Sequence, residues 1–257
     1  IKCKNKLTLR WYLLINWKKF KKSIQNKEIF FHSVVFLQQN GLNMFNIEKY
    51  NEIRDFLRKK SQITEIIAVS KNHSQEKVIE AIKSGIYIFG ENRVIEAKDK
   101  FFALKKQHPN IELHLTGPLQ SNKVKTAISL FDVFHTLDRE KIAKEFSKYQ
   151  SEIAKKKIFV QVNTGKEKTK SGIFPEDLKK FIVFCIYDLK LNIHGLMCIP
   201  PINEEAKEHF SYLRSLANEN NISNLSIGMS NDYKIAAEFK PSYVRLGTIL
   251  FGERLYK

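Results

Sequence analysis

After residue 44 the chain alternates between two hydrophobic rhythms. Short β-branched and aromatic runs recur at 65–69 (EIIAV), 86–89 (IYIF), 111–115 (IELHL), 133–136 (VFHT), 158–162 (IFVQV), 193–197 (IHGLM), 224–227 (NLSI) and 243–246 (YVRL). These read as eight strands. Their starts lie roughly 20 to 35 residues apart, which leaves room for one helix and two short loops each time. The intervening segments carry helical spacing and punctuation. Tyr50, Ile53, Phe56 and Leu57 share one face. Ser74 precedes "QEKVIEAIKS", where Val78 and Ile82 are one turn apart and Gly85 supplies the stop. Pro175 leads "EDLKKFIVFCIY", with acids in the first turn, where they complement the helix dipole. Eight strands alternating with helices predict an α/β fold, a single closed (β/α)8 TIM barrel. An open doubly wound sheet is the alternative, but the loop after its first strand would usually carry a glycine fingerprint. Here that loop reads "SKNHSQ".

The first 43 residues break the rhythm. They hold nine Lys or Arg and one acid, Glu28, and the first methionine is Met44. A basic, acid-poor leader can be a transit peptide. The missing start methionine favours instead an extension, 1–43, that is non-native or disordered, with the functional domain at 44–257.

Charge and cysteine change this picture little. The net charge of +17 raises the question of nucleic acid. Beyond residue 43, however, Lys is interspersed with Glu as on solvated helix faces, and no base-stacking or finger motif accompanies it. No nucleic-acid partner is expected. The apolar run 181–187 stops at Asp188, far short of the ~20 residues that span a bilayer, so no membrane role is expected. Cys3, Cys185 and Cys198 have no metal-like spacing. They suit buried small residues in a reducing, cytoplasmic setting, with no metal site.

In barrels of this kind the chemistry sits at the C-terminal strand ends, and phosphates commonly bind after strands seven and eight. Strand seven leads into "GMSND" (228–232) and strand eight into Gly247 and Thr248. Glycines let backbone amides approach an anion and hydroxyls add donors, so Ser230 and Thr248 are the natural phosphate ligands. Taken singly, Ser230 could be only a helix cap and Gly247 only a turn. Strand eight also carries Arg245 at an otherwise apolar position, where it needs an anionic or hydrogen-bonding partner. Strand one ends at Lys71. A strand-end lysine beside a phosphate site describes Schiff-base barrels, in which the neutral amine attacks a carbonyl. A phosphosugar aldolase and a pyridoxal phosphate (PLP) protein both fit.

The stretches "AVSKNHS", "FGENRVIEA", "HLTGPLQSNK", "HTLD", "KSGI", "HGLMCIPP", "LSIGMSND" and "VRLGTILFGER" resemble, in order, the pyridoxal phosphate homeostasis proteins, a family related to the alanine racemase N-terminal domain. The resemblance runs from residue 68 to 254 and leaves 1–43 outside. It implies that Lys71 holds PLP as an aldimine. Ser230, Gly247 and Thr248 would hold the phosphate with Met229 beside them, Arg245 would face the pyridine nitrogen, and Asn92 would lie near the ring. It also implies a monomer that buffers PLP or delivers it to apo PLP-dependent enzymes.

Two features favour a non-catalytic carrier over a minimal racemase or aldolase. An arginine beside the pyridine nitrogen disfavours its protonation and weakens the electron sink of PLP chemistry. The sequence also ends 11 residues after strand eight, so no second domain is expected to supply an opposing acid/base. An aldolase would need such a group near Lys71, for which Glu91 and His114 are the candidates. His114 and His194 are expected to be hydrogen-bonded core histidines.

Overall fold

In the computed structural model, which describes residues 45–253, the strand runs close into one parallel barrel. The strands are β1 (Glu65–Val69), β2 (Ile88–Glu91), β3 (Glu112–Leu115), β4 (Val133–Leu137), β5 (Lys157–Gln161), β6 (Ile193–Met197), β7 (Asn224–Ser226) and β8 (Tyr243–Leu246). They pair in sequence order, and β8 returns to β1, with Ile66 opposite Val244 and Ala68 opposite Leu246. The helices are α1 (Ile47–Lys60), α2 (Gln75–Lys83), α3 (Val94–Gln107), α4 (Val124–Leu130), α5 (Glu140–Phe146), α6 (Gln150–Ile153), α7 (Leu178–Val183), α8 (Ala206–Glu219), α9 (Tyr233–Ala236) and α10 (Thr248–Phe251). The expected (β/α)8 architecture is the one observed. The basic segment 1–43 lies outside the described residues.

Strand alternation divides the core in two. One set of side chains, including Ile66, Ala68, Phe89, Leu113, Phe134 and Val244, faces outward and packs under the helices. The other set fills the barrel interior: Ile67, Val69, Val133, Phe159, Met197 and Tyr243. Gly195 on β6 lies opposite Phe159, whose ring occupies the space a β-carbon would need. An added Cβ would sit 2.3 Å from Phe159 Cε1 and 2.6 Å from the Asn224 carbonyl oxygen. Gly195→Ala is therefore expected to destabilise the barrel by about 1–3 kcal/mol, read as a lower urea midpoint at unchanged slope.

Among the elements that differ from the sequence expectation, two bear on the packing. Strand β2 begins two residues later than the IYIF run and takes in Gly90 and Glu91, which pair with His114 and Leu115. Periodicity places a glutamate in a loop. Here its carboxylate is buried but accepts from Ser70 Oγ and Lys100 Nζ, both at 2.7 Å, so the strand runs through it. The single helix expected after Pro175 is a composite. A 3-10 turn (Pro175–Asp177) feeds α7, and a π-helical turn (Phe184–Asp188) ends it, closed by the Leu189 amide on the Phe184 carbonyl at 3.1 Å.

Candidate functional site

The sequence-predicted residues fall on one arc of the barrel rim. Asn92 follows β2, Lys71 follows β1, Gly247 and Thr248 follow β8, and Met229 and Ser230 follow β7. Because β8 closes on β1, these four strands are neighbours in the order β7, β8, β1, β2. Val69, two residues before Lys71, has its carbonyl oxygen 3.3 Å from where a Gly247 Cβ would stand. Lys71 is half-buried in a turn, Ser230 and Gly247 are half-buried, and Thr248 is exposed.

The loop after β7 is held in shape by its own residues. Gly228 has φ +92°, a left-handed conformation that favours glycine, and an added Cβ would meet Ala236 Cβ at 2.7 Å. Its carbonyl accepts the Arg245 amide at 2.8 Å, which ties the loop to β8. Asp232 Oδ1 accepts the Met229 amide, and the Met229 carbonyl accepts the Tyr233 amide at 2.9 Å. The helix expected near Asn231 begins at Tyr233 instead, because residues 229–232 form this turn. Burial pushes the Asp232 carboxyl up. Asn92 Oδ1 accepts from Thr116 Oγ1 at 3.0 Å, which fixes its amide at the rim.

Arg245 points into the barrel and is 5% exposed. Its Nη1 donates to the Ser226 carbonyl at 2.7 Å and to Ser226 Oγ at 2.8 Å, and its Nη2 donates to the Cys198 carbonyl at 3.0 Å. No carboxylate pairs with it among the described residues, and Asp232 acts on it only from a distance. Burial lowers its pKa. A desolvated cation held by neutral oxygens remains a strong site for an anion or another electron-rich acceptor.

Beneath Arg245 lies a connected polar chain that the sequence reading saw only in part. His135 Nδ1 is 2.9 Å from Ser226 Oγ, and His135 Nε2 is 2.8 Å from His114 Nδ1. His114 Nε2 lies 2.9 Å from Glu112 Oε1, close enough for charge attraction though not aligned as a hydrogen bond. The His114 contact holds the Glu112 carboxyl at about 2, so it is an acceptor. With the His114 proton on Nε2, facing Glu112, its Nδ1 accepts from His135 and His135 Nδ1 accepts the Ser226 hydroxyl, while Ser226 Oγ accepts from Arg245. Both histidines are fully buried and both pKa values are lowered by that burial.

His114 is thus the core histidine expected. His194 is not: it is half-buried, its ring edge lies against Phe159, and its side chain makes no hydrogen bond among the described residues. Both aldolase candidates are engaged elsewhere. Glu91 is engaged by Lys100 under α3, and His114 lies in the barrel interior. Cys185 and Cys198 are buried thiols pushed up to about 12 by desolvation, as small core residues should be. No group of metal-ligating side chains occurs among the described residues, and no helix there is long and apolar enough to cross a membrane.

The sequence signature of the alanine racemase N-terminal domain matches residues 48–255. A pyridoxal phosphate homeostasis protein of Aquifex aeolicus is 36% identical over 202 residues, covering 74% of this chain and 87% of that one. The chain belongs to the pyridoxal phosphate homeostasis protein family. Among solved structures, PipY of Synechococcus elongatus, determined with PLP bound, is 32% identical at a TM-score of 0.71, covering 80% of this chain and 99% of PipY. An alanine racemase of Clostridium difficile shares the barrel fold at 16% identity and a TM-score of 0.60, over 59% of its own length.

Proposed function

We propose that this protein binds PLP on the β7–β8–β1–β2 arc and serves intracellular PLP homeostasis, holding the cofactor reversibly and delivering it to apo PLP-dependent enzymes. One observation carries the reading. A lysine at the end of β1 and two glycine–hydroxyl loops after β7 and β8 meet on adjacent strands above a buried arginine that has no carboxylate partner among the described residues. These residues fit PLP chemically. Ser230, Gly247 and Thr248 supply hydroxyls and backbone amides to its phosphate, with Met229 beside them. Arg245 offers a donor to the ring nitrogen, Asn92 flanks the ring, and Lys71 supplies the amine that holds the aldehyde. Bound PLP contributes a reactive carbonyl and an aromatic electron sink.

The same geometry supports a carrier over an enzyme. Arg245 is a fixed cation in a water-poor site, so a second positive charge on an adjacent ring nitrogen is disfavoured, and the electron sink is weakened. The relatives' name, a homeostasis protein, points the same way. The reading places the function in residues 44–257, acting as a monomer in the cytoplasm, with the basic segment 1–43 outside it.

The test is the visible absorption spectrum of the purified protein after PLP is added, before and after borohydride, with peptide mapping of the reduced sample. A visible band that reduction fixes onto Lys71 is the expected result. A protein that takes up no PLP overturns the reading. Steady turnover of an amino acid, lost in Lys71→Ala, overturns the carrier assignment alone.

A further inference from the structure

We propose that Glu96 and Lys100, one turn apart on α3, are positioning residues that clamp the backbone on both sides of Lys71 and so aim its amine. The inference rests on Lys71 being the PLP-holding residue. It concerns how the lysine is presented, which the family resemblance does not address.

The residue before Lys71 is fixed by contacts to all of its polar groups. The Ser70 amide donates to the Gly90 carbonyl at 2.9 Å, and Ser70 Oγ donates to Glu91 Oε1 at 2.7 Å. The Ser70 carbonyl accepts Lys100 Nζ at 2.7 Å and the His73 amide at 3.1 Å. The residue after Lys71 is fixed too. The Asn72 amide donates to Glu96 Oε1 at 2.5 Å, and Asn72 has φ +60°, a left-handed turn that asparagine tolerates better than most residues. With both flanking residues pinned, the direction of the Lys71 Cα–Cβ bond is set.

Lys100 is built for this role. An ammonium has three donors, and here there are three acceptors: Ser70 O at 2.7 Å, Glu91 Oε1 at 2.7 Å and Glu96 Oε1 at 3.1 Å. Lys100 is 6% exposed and Glu91 is fully buried, so each charge depends on the other. An ion pair that only held α3 to the barrel could use any strand. This one delivers its contacts to the carbonyl just before the candidate lysine and, through Glu96, to the amide just after it. A reactive group launched from a fixed backbone reaches its target more often, and misplacement by about 1 Å can cost two orders of magnitude in rate.

Lys100→Met would strand the buried Glu91 charge and can fail to fold, so the experiment uses Glu96, whose side chain is 24% exposed. Full-length native protein, Glu96→Ala and Glu96→Gln are mixed with PLP and quenched with borohydride at timed intervals. Label at Lys71 is quantified by peptide mapping, and exchange of the Asn72 amide is followed by mass spectrometry. Glu96→Ala should label on the order of tenfold more slowly and exchange the Asn72 amide faster, at nearly native thermal stability. Glu96→Gln keeps the acceptor oxygen and should recover most of the rate. Native-rate labelling in Glu96→Ala overturns the clamp while leaving the PLP reading intact. Absence of label at Lys71 in the native protein overturns the PLP reading and the clamp with it.

Discussion

Lys71→Ala is expected to reduce borohydride-fixed PLP to background while leaving the barrel folded. The position is half-buried in the turn after β1, and no core side chain is removed. Substitutions of this kind usually change stability by within about 0.5 kcal/mol, and a shift of 1 kcal/mol moves the melting temperature by only about 2–4 °C in a domain of this size. The functional loss should be much larger, because alanine removes the proposed nucleophile while the proposed phosphate loops and Arg245 remain. PLP at a hundredfold excess over Kd stabilises a native protein by about 2.7 kcal/mol, so the thermal shift with PLP measures retention independently of colour. The native protein should shift by several degrees and Lys71→Ala far less. Lys71→Arg separates charge from nucleophilicity: it should keep a part of the phosphate-driven shift and give no label. A persistent label in Lys71→Ala, mapped to another lysine, would refute the assignment of Lys71.

Acid should unfold the barrel from within. His114 and His135 are fully buried and neutral, with pKa values lowered from 6.5. Burial is the main cause for both. His135 also feels His114, Arg245, His194 and Lys157, while Glu112 and Asp132 pull His114 upward against Lys157. The unfolded chain binds a proton at each histidine below about 6.5 and the folded chain does not. Stability is therefore intact above 6.5 and is lost as pH falls below it, by about 1.4 kcal/mol per pH unit for each proton. Both histidines of the pair act in this direction, and His194, also lowered, adds to them. Glu91 and Asp232, whose carboxyls burial raises, oppose the trend at lower pH. Urea midpoints at pH 7, 6 and 5 should fall steeply, and His135→Gln should flatten the slope by roughly the share of one proton. A flat profile between 7 and 5 would mean that the histidines take up protons inside the barrel.

The strand rhythm was legible because barrel strands are buried on both faces and so read as apolar runs. β1, β6 and β8 fall where the pattern puts them. The rim residues were legible for a different reason: strand order fixes which loops share the mouth, so Lys71, Ser230 and Thr248 could be grouped by topology. What escaped was polar burial. Glu91, Lys100 and Ser226 look in sequence like surface residues, since their burial is compensated by partners distant along the chain. Ser226 meets His135 across 91 residues, and Lys100 meets Ser70 across 30. No local periodicity encodes such pairings. Arg245 was noticed as anomalous, but its neutral oxygen partners could be seen only in three dimensions.

The return of β8 to β1 has a consequence for synthesis. Lys71 and Asn92 emerge early from the ribosome, whereas Arg245 and Thr248 emerge more than 150 residues later. The seam between first and last strands is the longest loop closure in the sheet, and the proposed cofactor arc straddles it. On the proposed site, a nascent chain would offer the lysine long before it offers the cradle, and capture would await completion of the barrel. Once the seam is shut, a ligand gripping both sides of it would act as a staple across the join between the first and last strands.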